Sequence, residues 1–314
     1  MRFGLIGVGR WGKVYIKTLC SLPDRCRLTH LATSKPSNAA LVPYPVTVLS
    51  DWRALLQSDC DAVIIAAPPS THAEILEACL DVEKPCIVEK PFCLDVGTAQ
   101  RLQHRIQVSG VPVLVDHTHL FDPAYLVLKR SLDAAGEPIR FLFAEGGGWG
   151  PFRTDISALW DWGPHEVSLC LDLLADTPQH VSAMGTSVRA EGLPDAVCIR
   201  LDFTRGATAW LHTGRVFSSK RRNLTIITER NRYHWDGVAP SQQLSVSPIE
   251  WTQASDVKRL VVPEGPTPLA NMIAYFINGL AGGDRQRFGT ELGLEVTRVL
   301  ATCETLLAQR EMVK

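Results

Sequence analysis

"RFGLIGVGRWGKVYIKTLC", residues 2–20, decides how the rest of this chain is read. An apolar run of strand character ends at Gly7 and an amphipathic, helix-like segment follows, so that Gly7, Gly9 and Gly12 spell G-x-G-x-x-G at the joint. Each glycine has a physical reason to be there. Gly7 permits a tight turn, Gly9 leaves bare backbone where a pyrophosphate can approach, and Gly12 lets the helix pack closely, with the first helical amides turned towards the anion. Arg10 and Trp11, inside the same turn, join the glycines as candidate dinucleotide contacts.

Outward from that joint, strand-like runs at 27–34, 45–50, 61–69, 85–91 and 111–118 alternate with helical patterns at 51–58, 72–81 and 98–110. Such alternation specifies a parallel sheet with helices on both faces, a doubly wound Rossmann α/β domain, placed at residues 1–120. Beyond Phe121 the texture changes. After a helix at 123–135 and an apolar run at 138–148, residues 179–247 alternate strand by strand across short polar turns. That pattern predicts a large, mostly antiparallel open sheet in a second, α+β domain at 121–314. Helical segments at 268–282 and 291–311 close the chain, the last able to pack back on the first domain.

The bulk properties narrow the function classes. With 314 residues, 46% hydrophobic, 21% charged and a net charge of −1, the chain has apolar mass for two cores and no broad basic face for nucleic acid. Its one dense basic cluster, "SSKRRN" at 218–223, is too short to form one. The longest uncharged apolar stretch, "AVIIAAPP" at 62–69, falls far below the roughly 20 residues of a membrane span. No cleavable leader pattern is visible, so a cytoplasmic protein is expected, with neither membrane nor nucleic acid as partner. Nine cysteines, an odd number without a C-x-x-C pair, read as buried thiols in a reducing compartment, and no metal centre is expected.

Four further stretches carry candidate chemistry. A carboxylate is the usual partner of the adenosine ribose at the end of the second strand, but here the strand ends in Thr33, Ser34 and Lys35. Hydroxyls and an ammonium suit a 2′-phosphate, which favours NADP(H) and leaves NAD(H) possible. In "AAPPSTH", 66–72, Ala67 and Pro68 close the fourth strand at the sheet's carboxyl edge. His72 there is either a ligand contact or a capping or surface residue at the next helix start. The strand in "CIVEKP", 86–91, reaches the same edge with Glu89 and Lys90. An ammonium at that crevice, partly stripped of water, is suited to orienting a substrate hydroxyl or exchanging a proton with it. Finally, in "LWDWGPHEVSLCLDLL", 159–174, Pro164 signals a helix start and puts His165 in its first turn, where the helix dipole favours a neutral imidazole. Asp161 lies just outside that helix, and Trp149, Trp160, Trp162 and the glycine run 146–148 read as a pocket wall.

Together these motifs resemble the glucose-fructose oxidoreductase / inositol dehydrogenase / MocA-like family of NAD(P)-dependent oxidoreductases. The resemblance runs through "GLIGVGRWG", "AVIIAAPPSTHAE", "PCIVEKPF", "VLVDHTHLFDPAY", "LWDWGPHEVSLCLDLL" and the C-terminal helix. It implies that Lys90 and His165 line the substrate site beside the nicotinamide, that Asp161 is the matching acid, and that the bond before Pro91 is often cis. It also implies a homodimer or homotetramer formed through the open sheet. Asp116, His117 and Thr118 match a segment near the substrate, with Trp162 on the same wall. Two positions depart from the family pattern: Leu120 stands where an arginine is common, and Ser168 where an aspartate is. His119 and Arg153 are the candidate replacements. The reaction implied is hydride transfer between nicotinamide and a secondary alcohol or ketone of a sugar, cyclitol or nucleotide-linked sugar. The scaffold also serves reductases of C=N or C=C bonds and non-catalytic NAD(P)-sensing regulators. A sensor has no need of the proton-transfer groups Lys90, Asp161 and His165.

Overall fold

Strand β1 (Arg2–Ile6) is buried from Phe3 onward, as a strand with helices on both faces must be. In the computed structural model, which describes residues 1–153, 156–188, 193–239, 243–250, 253 and 256–311, β1 is the centre of a six-stranded sheet. β2 (Arg27–Ala32) and β3 (Thr47–Leu49) extend it on one side; β4 (Ala62–Ile65), β5 (Cys86–Glu89) and β6 (Val113–Asp116) extend it on the other. Every neighbouring pair is parallel. The order β3-β2-β1-β4-β5-β6 reverses direction between β1 and β4, which opens the crevice where ligands of doubly wound sheets lie. Helices α1 (Arg10–Cys20), α2 (Trp52–Leu56), α3 (His72–Asp81) and α4 (Val96–Ser109) make the crossovers. Helix α4 shows how local chemistry sets its ends. The Asp95 carboxylate accepts from Thr98 N–H at 2.8 Å, and Gly110 stops the helix at φ 68°.

The second sheet has eight strands in the order β14-β13-β12-β11-β7-β10-β9-β8. After α5 (Pro123–Ala135), its central strand β7 (Phe141–Trp149) pairs in parallel with β10 (Thr208–Gly214) and antiparallel with β11 (Val216–Ile227). The remaining strands, β8 (Pro178–Thr186), β9 (Ala196–Phe203), β12 (Asn231–Asp236), β13 (Gln243–Pro248) and β14 (Lys258–Arg259), all pair antiparallel. Strand β9 buries Val197, Ile199, Leu201 and Phe203 and exposes Cys198 and Arg200, the alternation of a sheet with one covered face. The short α6 (Ala158–Asp161) and α7 (Gly163–Leu174) cover that face against β7, β9 and β10. Two helices follow, α8 (Pro268–Leu280) and α9 (Thr290–Glu311).

The first compact unit holds Met1–Thr118 and Pro266–Thr297; the second holds His119–Gly265 and the chain from Arg298 on. Helix α8 thus joins the first core, with the Phe276 ring 6.3 Å from Phe3 and 5.5 Å from Phe288. The basic cluster at 218–223 lies inside β11, which begins at Val216, and the glycine run 146–148 is part of β7. Gly146 is required by close approach, since a Cβ there would come within 1.6 Å of Glu166 Oε1. Residues 189, 190 and 242, expected in strands, lie outside the described residues. Seven of the nine cysteines are buried, and no helix among the described residues is long and apolar enough to cross a membrane.

Candidate functional site

The glycine turn fits a dinucleotide. Gly7 takes φ +91°, in the left-handed region, and a Cβ on it would lie 2.6 Å from Ala66 O. A Cβ on Gly12 would lie 2.1 Å from Gly7 O, while one on Gly9 would meet nothing within 4 Å. The chain is therefore tight at the first and third glycines and open at the second, beside the N-terminus of α1. Arg10 and Trp11 are exposed beside it. At the end of β2, Ser34 and Lys35 are exposed, and the Thr33 hydroxyl holds the turn by accepting from Lys35 N–H at 3.2 Å and Asn38 Nδ2 at 2.8 Å.

His72 departs from expectation. It is fully buried rather than a surface cap, and its Nδ1 and Nε2 lie 2.9 Å from Pro91 O and 3.0 Å from Ala67 O. Burial lowers its pKa. Set between these two carbonyls, the ring donates to one of them when neutral, and so braces the Ala67–Pro68 loop against the turn after β5. The Lys90–Pro91 bond is cis.

Glu89 and Asp116 also turn inward. They are register partners on β5 and β6, 5% and 0% exposed. Asp116 accepts from the hydroxyls of Tyr15 on α1 and Thr118, one on each oxygen. Glu89, Asp116 and Thr118, expected as cofactor and substrate contacts, lie together here, with Thr118 bonded to Asp116. Buried polar groups pair with their neighbours, and the sequence alone does not say which neighbours those are. Burial raises the Glu89 carboxyl well above its ordinary range, helped by the charge of Asp116. Burial also raises Asp116, against the pull of Thr118, Tyr15, Glu89 and Lys90. Lys90 is 8% exposed at the end of this pair, and His117 lies near the turn at Gly289.

In the second unit His165 occupies the first turn of α7, its N–H donating to Trp162 O at 3.0 Å. The His119 ring stacks obliquely on it, with centroids 4.5 Å apart and planes at 41°. Ser168 donates to His165 O at 2.9 Å, and Leu120 is buried. Asp161 belongs to a short helix of its own, α6, rather than to a loop. Its Oδ2 lies 3.3 Å from Arg215 Nη2, and its Oδ1 lies 3.8 Å from Arg153 Nη1. Arg215, which the sequence reading passed over, is fully buried. Its Nη2 donates to Ile156 O at 2.7 Å and its Nη1 to Arg153 O at 3.3 Å, with Asp195 Oδ1 3.9 Å away. A single arginine between two strands gives no periodic signal, so nothing in "HTGRVF" marks it. The tryptophans do not form one wall. Trp160 is buried and donates to Glu304 at 2.9 Å, Trp162 is half-buried, and Trp149 is 71% exposed against the edge of Phe152. No group of three or more potential metal ligands occurs among the described residues.

Residues 1–117 match the model of an oxidoreductase family with an NAD-binding Rossmann fold, and residues 140–234 match the Gfo/Idh/MocA C-terminal domain. The chain is 34% identical over 146 residues to inositol 2-dehydrogenase of Mycolicibacterium gilvum, an alignment spanning 44% of the chain and only 42% of that relative. It is 28% identical over 236 residues to UDP-N-acetylglucosamine 3-dehydrogenase of Acidithiobacillus ferrooxidans, spanning 74% of the chain and 72% of that enzyme. A protein from Magnetospirillum magnetotacticum MS-1 of known crystal structure superposes with TM-score 0.87 at 35% identity, covering 96% of this chain and 99% of that one. Two domain models in order along one chain, and a full-length likeness at that identity, place the protein in the Gfo/Idh/MocA family of oxidoreductases.

Proposed function

We propose that this oxidoreductase transfers a hydride between a nicotinamide dinucleotide and a ring carbon bearing a secondary hydroxyl, on a sugar, cyclitol or nucleotide-linked sugar. The observation that carries the reading is one chain holding an open anion cradle at Gly9 and both proton-handling residues of the motif, Lys90 and His165, each buried. The two named relatives, an inositol 2-dehydrogenase and a UDP-N-acetylglucosamine 3-dehydrogenase, support the substrate class. Exposed Ser34 and Lys35, with no carboxylate among the last residues of β2, favour NADP(H) over NAD(H).

A bound nicotinamide supplies the hydride acceptor or donor. The chain's own residues bind and orient. The Lys90 ammonium polarises the substrate oxygen, the His165 imidazole exchanges its proton, and Asp161, held by Arg215 and Arg153, orients the imidazole. His119, stacked on His165, lines the same wall. The region from residue 121 on carries substrate recognition. The sheet face opposite α6 and α7, with Trp210 and Met184 more than half exposed, carries a homodimer or homotetramer contact. The buried thiols fit a reducing cytoplasm.

The test is a panel of cyclitols, aldoses and nucleotide sugars with NADP+ and NAD+, followed by absorbance of the reduced nicotinamide. Turnover of a ring alcohol, faster with NADP+, is expected. Turnover confined to imines or activated alkenes overturns the substrate class.

A further inference from the structure

The buried carboxyl pair behind Lys90 has a role of its own. Glu89 and Asp116 end two adjacent parallel strands in register, both shut away from water and hydrogen-bonded to each other. Two ionised carboxylates at that separation repel strongly in a dry site, and a proton shared between them relieves the repulsion. The surroundings decide which one keeps it. Asp116 receives the hydroxyl hydrogens of Tyr15 and Thr118 in addition to its bond with Glu89, and donors of this kind stabilise the anion. Glu89 is poorer in donors: the Lys90 backbone amide serves its carboxyl, but among the described residues no donor reaches its buried Oε1. An anionic oxygen left so is costly, whereas the carbonyl oxygen of a neutral carboxyl tolerates it. Burial raises both carboxyls above their ordinary range, as a shared proton requires.

We propose that Glu89 and Asp116 hold one proton between them, Glu89 neutral and donating, Asp116 anionic and accepting, and that this couple positions the Lys90 side chain at the end of β5. The inference rests on the reading of Lys90 as the group that polarises substrate. One anion then faces one cation, a balanced arrangement for a dry site. The other groups facing the couple are accounted for: the Tyr15 phenol from α1, itself raised by burial and by Asp116, the Thr118 hydroxyl, and His72 on α3, which feels the charge of Lys90. Tyr15 also gives the couple a reach. It stands on the helix whose N-terminus frames the anion cradle, so its hydroxyl ties the cofactor helix to the end of β6.

Two measurements decide it. The first needs no activity: the infrared carbonyl band of a protonated carboxyl at neutral pH, in wild type minus Glu89→Gln. The band is expected in wild type and lost in the variant; its absence from wild type, or its survival in Glu89→Gln, overturns the shared proton. The second is the pH profile of kcat/KM. Asp116→Asn removes the accepting member of the couple, and the alkaline limb is expected to move relative to wild type. Where Asp116→Asn does not fold, Tyr15→Phe removes one donor and no charge, and is expected to shift the band and move the limb the same way by less. An unmoved limb, with Lys90→Met inactive, overturns the positioning role. Full turnover in Lys90→Met instead overturns the functional reading, and the infrared result then still decides the couple.

Discussion

Each unit buries a charged cluster that adjoins or includes a candidate catalytic residue, and the two are solved by different chemistry. In the first unit the excess is of carboxyl groups: Glu89 and Asp116 face one lysine, and hydroxyls and a proton make up the balance. In the second the centre is a fully buried guanidinium, Arg215, whose forked donors reach two backbone carbonyls as well as Asp161 and Asp195. A guanidinium keeps its charge at any ordinary pH and offers five donors in a fixed plane. A carboxyl pair changes state with one proton. The Arg215 cluster is therefore a fixed brace for Arg153, Ile156 and Asp161, and the Glu89–Asp116 cluster is adjustable.

The largest expected effect tests whether the adjustable cluster serves chemistry. Lys90→Met should lower kcat by about 10² to 10⁴, the range of a lost proton-handling group, with dinucleotide binding retained in a fluorescence titration. Full turnover breaks the comparison at its first term. The fixed brace should show in stability instead. Arg215→Met leaves Asp195 buried without its cation, and chemical denaturation should find about 3–5 kcal/mol lost. A loss below about 1 kcal/mol would mean the cluster is not structural.

Smaller effects come from the exposed edge. Lys35→Glu should reduce the preference for NADP+ over NAD+, read as the ratio of kcat/KM values, by about tenfold to a hundredfold, the worth of one hydrogen bond to a charged group. An unchanged ratio removes Lys35 from the cofactor site. Smallest is Asp95→Ala at the start of α4, expected to cost about 1 kcal/mol at neutral pH. The Thr98 amide holds the Asp95 carboxyl below its ordinary range. A lowered folded-state pKa means the contribution is present above the unfolded-state value and is lost as pH falls through the folded one. The difference between wild type and Asp95→Ala should accordingly vanish in acid; a gap that persists there assigns it to packing.

The sequence by itself determined the order of strands and helices, the doubly wound class, the glycine turn and the place of His165 in a helix's first turn. These are local facts: a period of two or 3.6, a glycine at a left-handed φ, a proline at a helix start, each written in neighbouring residues. Only the tertiary structure decided which polar groups face one another. Tyr15 and Asp116 are 101 positions apart, and Arg215 and Asp161 are 54. For the same reason the sequence did not show that His72 lies between two backbone carbonyls or that Asp116 receives the hydroxyls of Tyr15 and Thr118. A buried polar atom must find its partner wherever the fold brings one, and that choice leaves no mark in the spacing of residues along the chain.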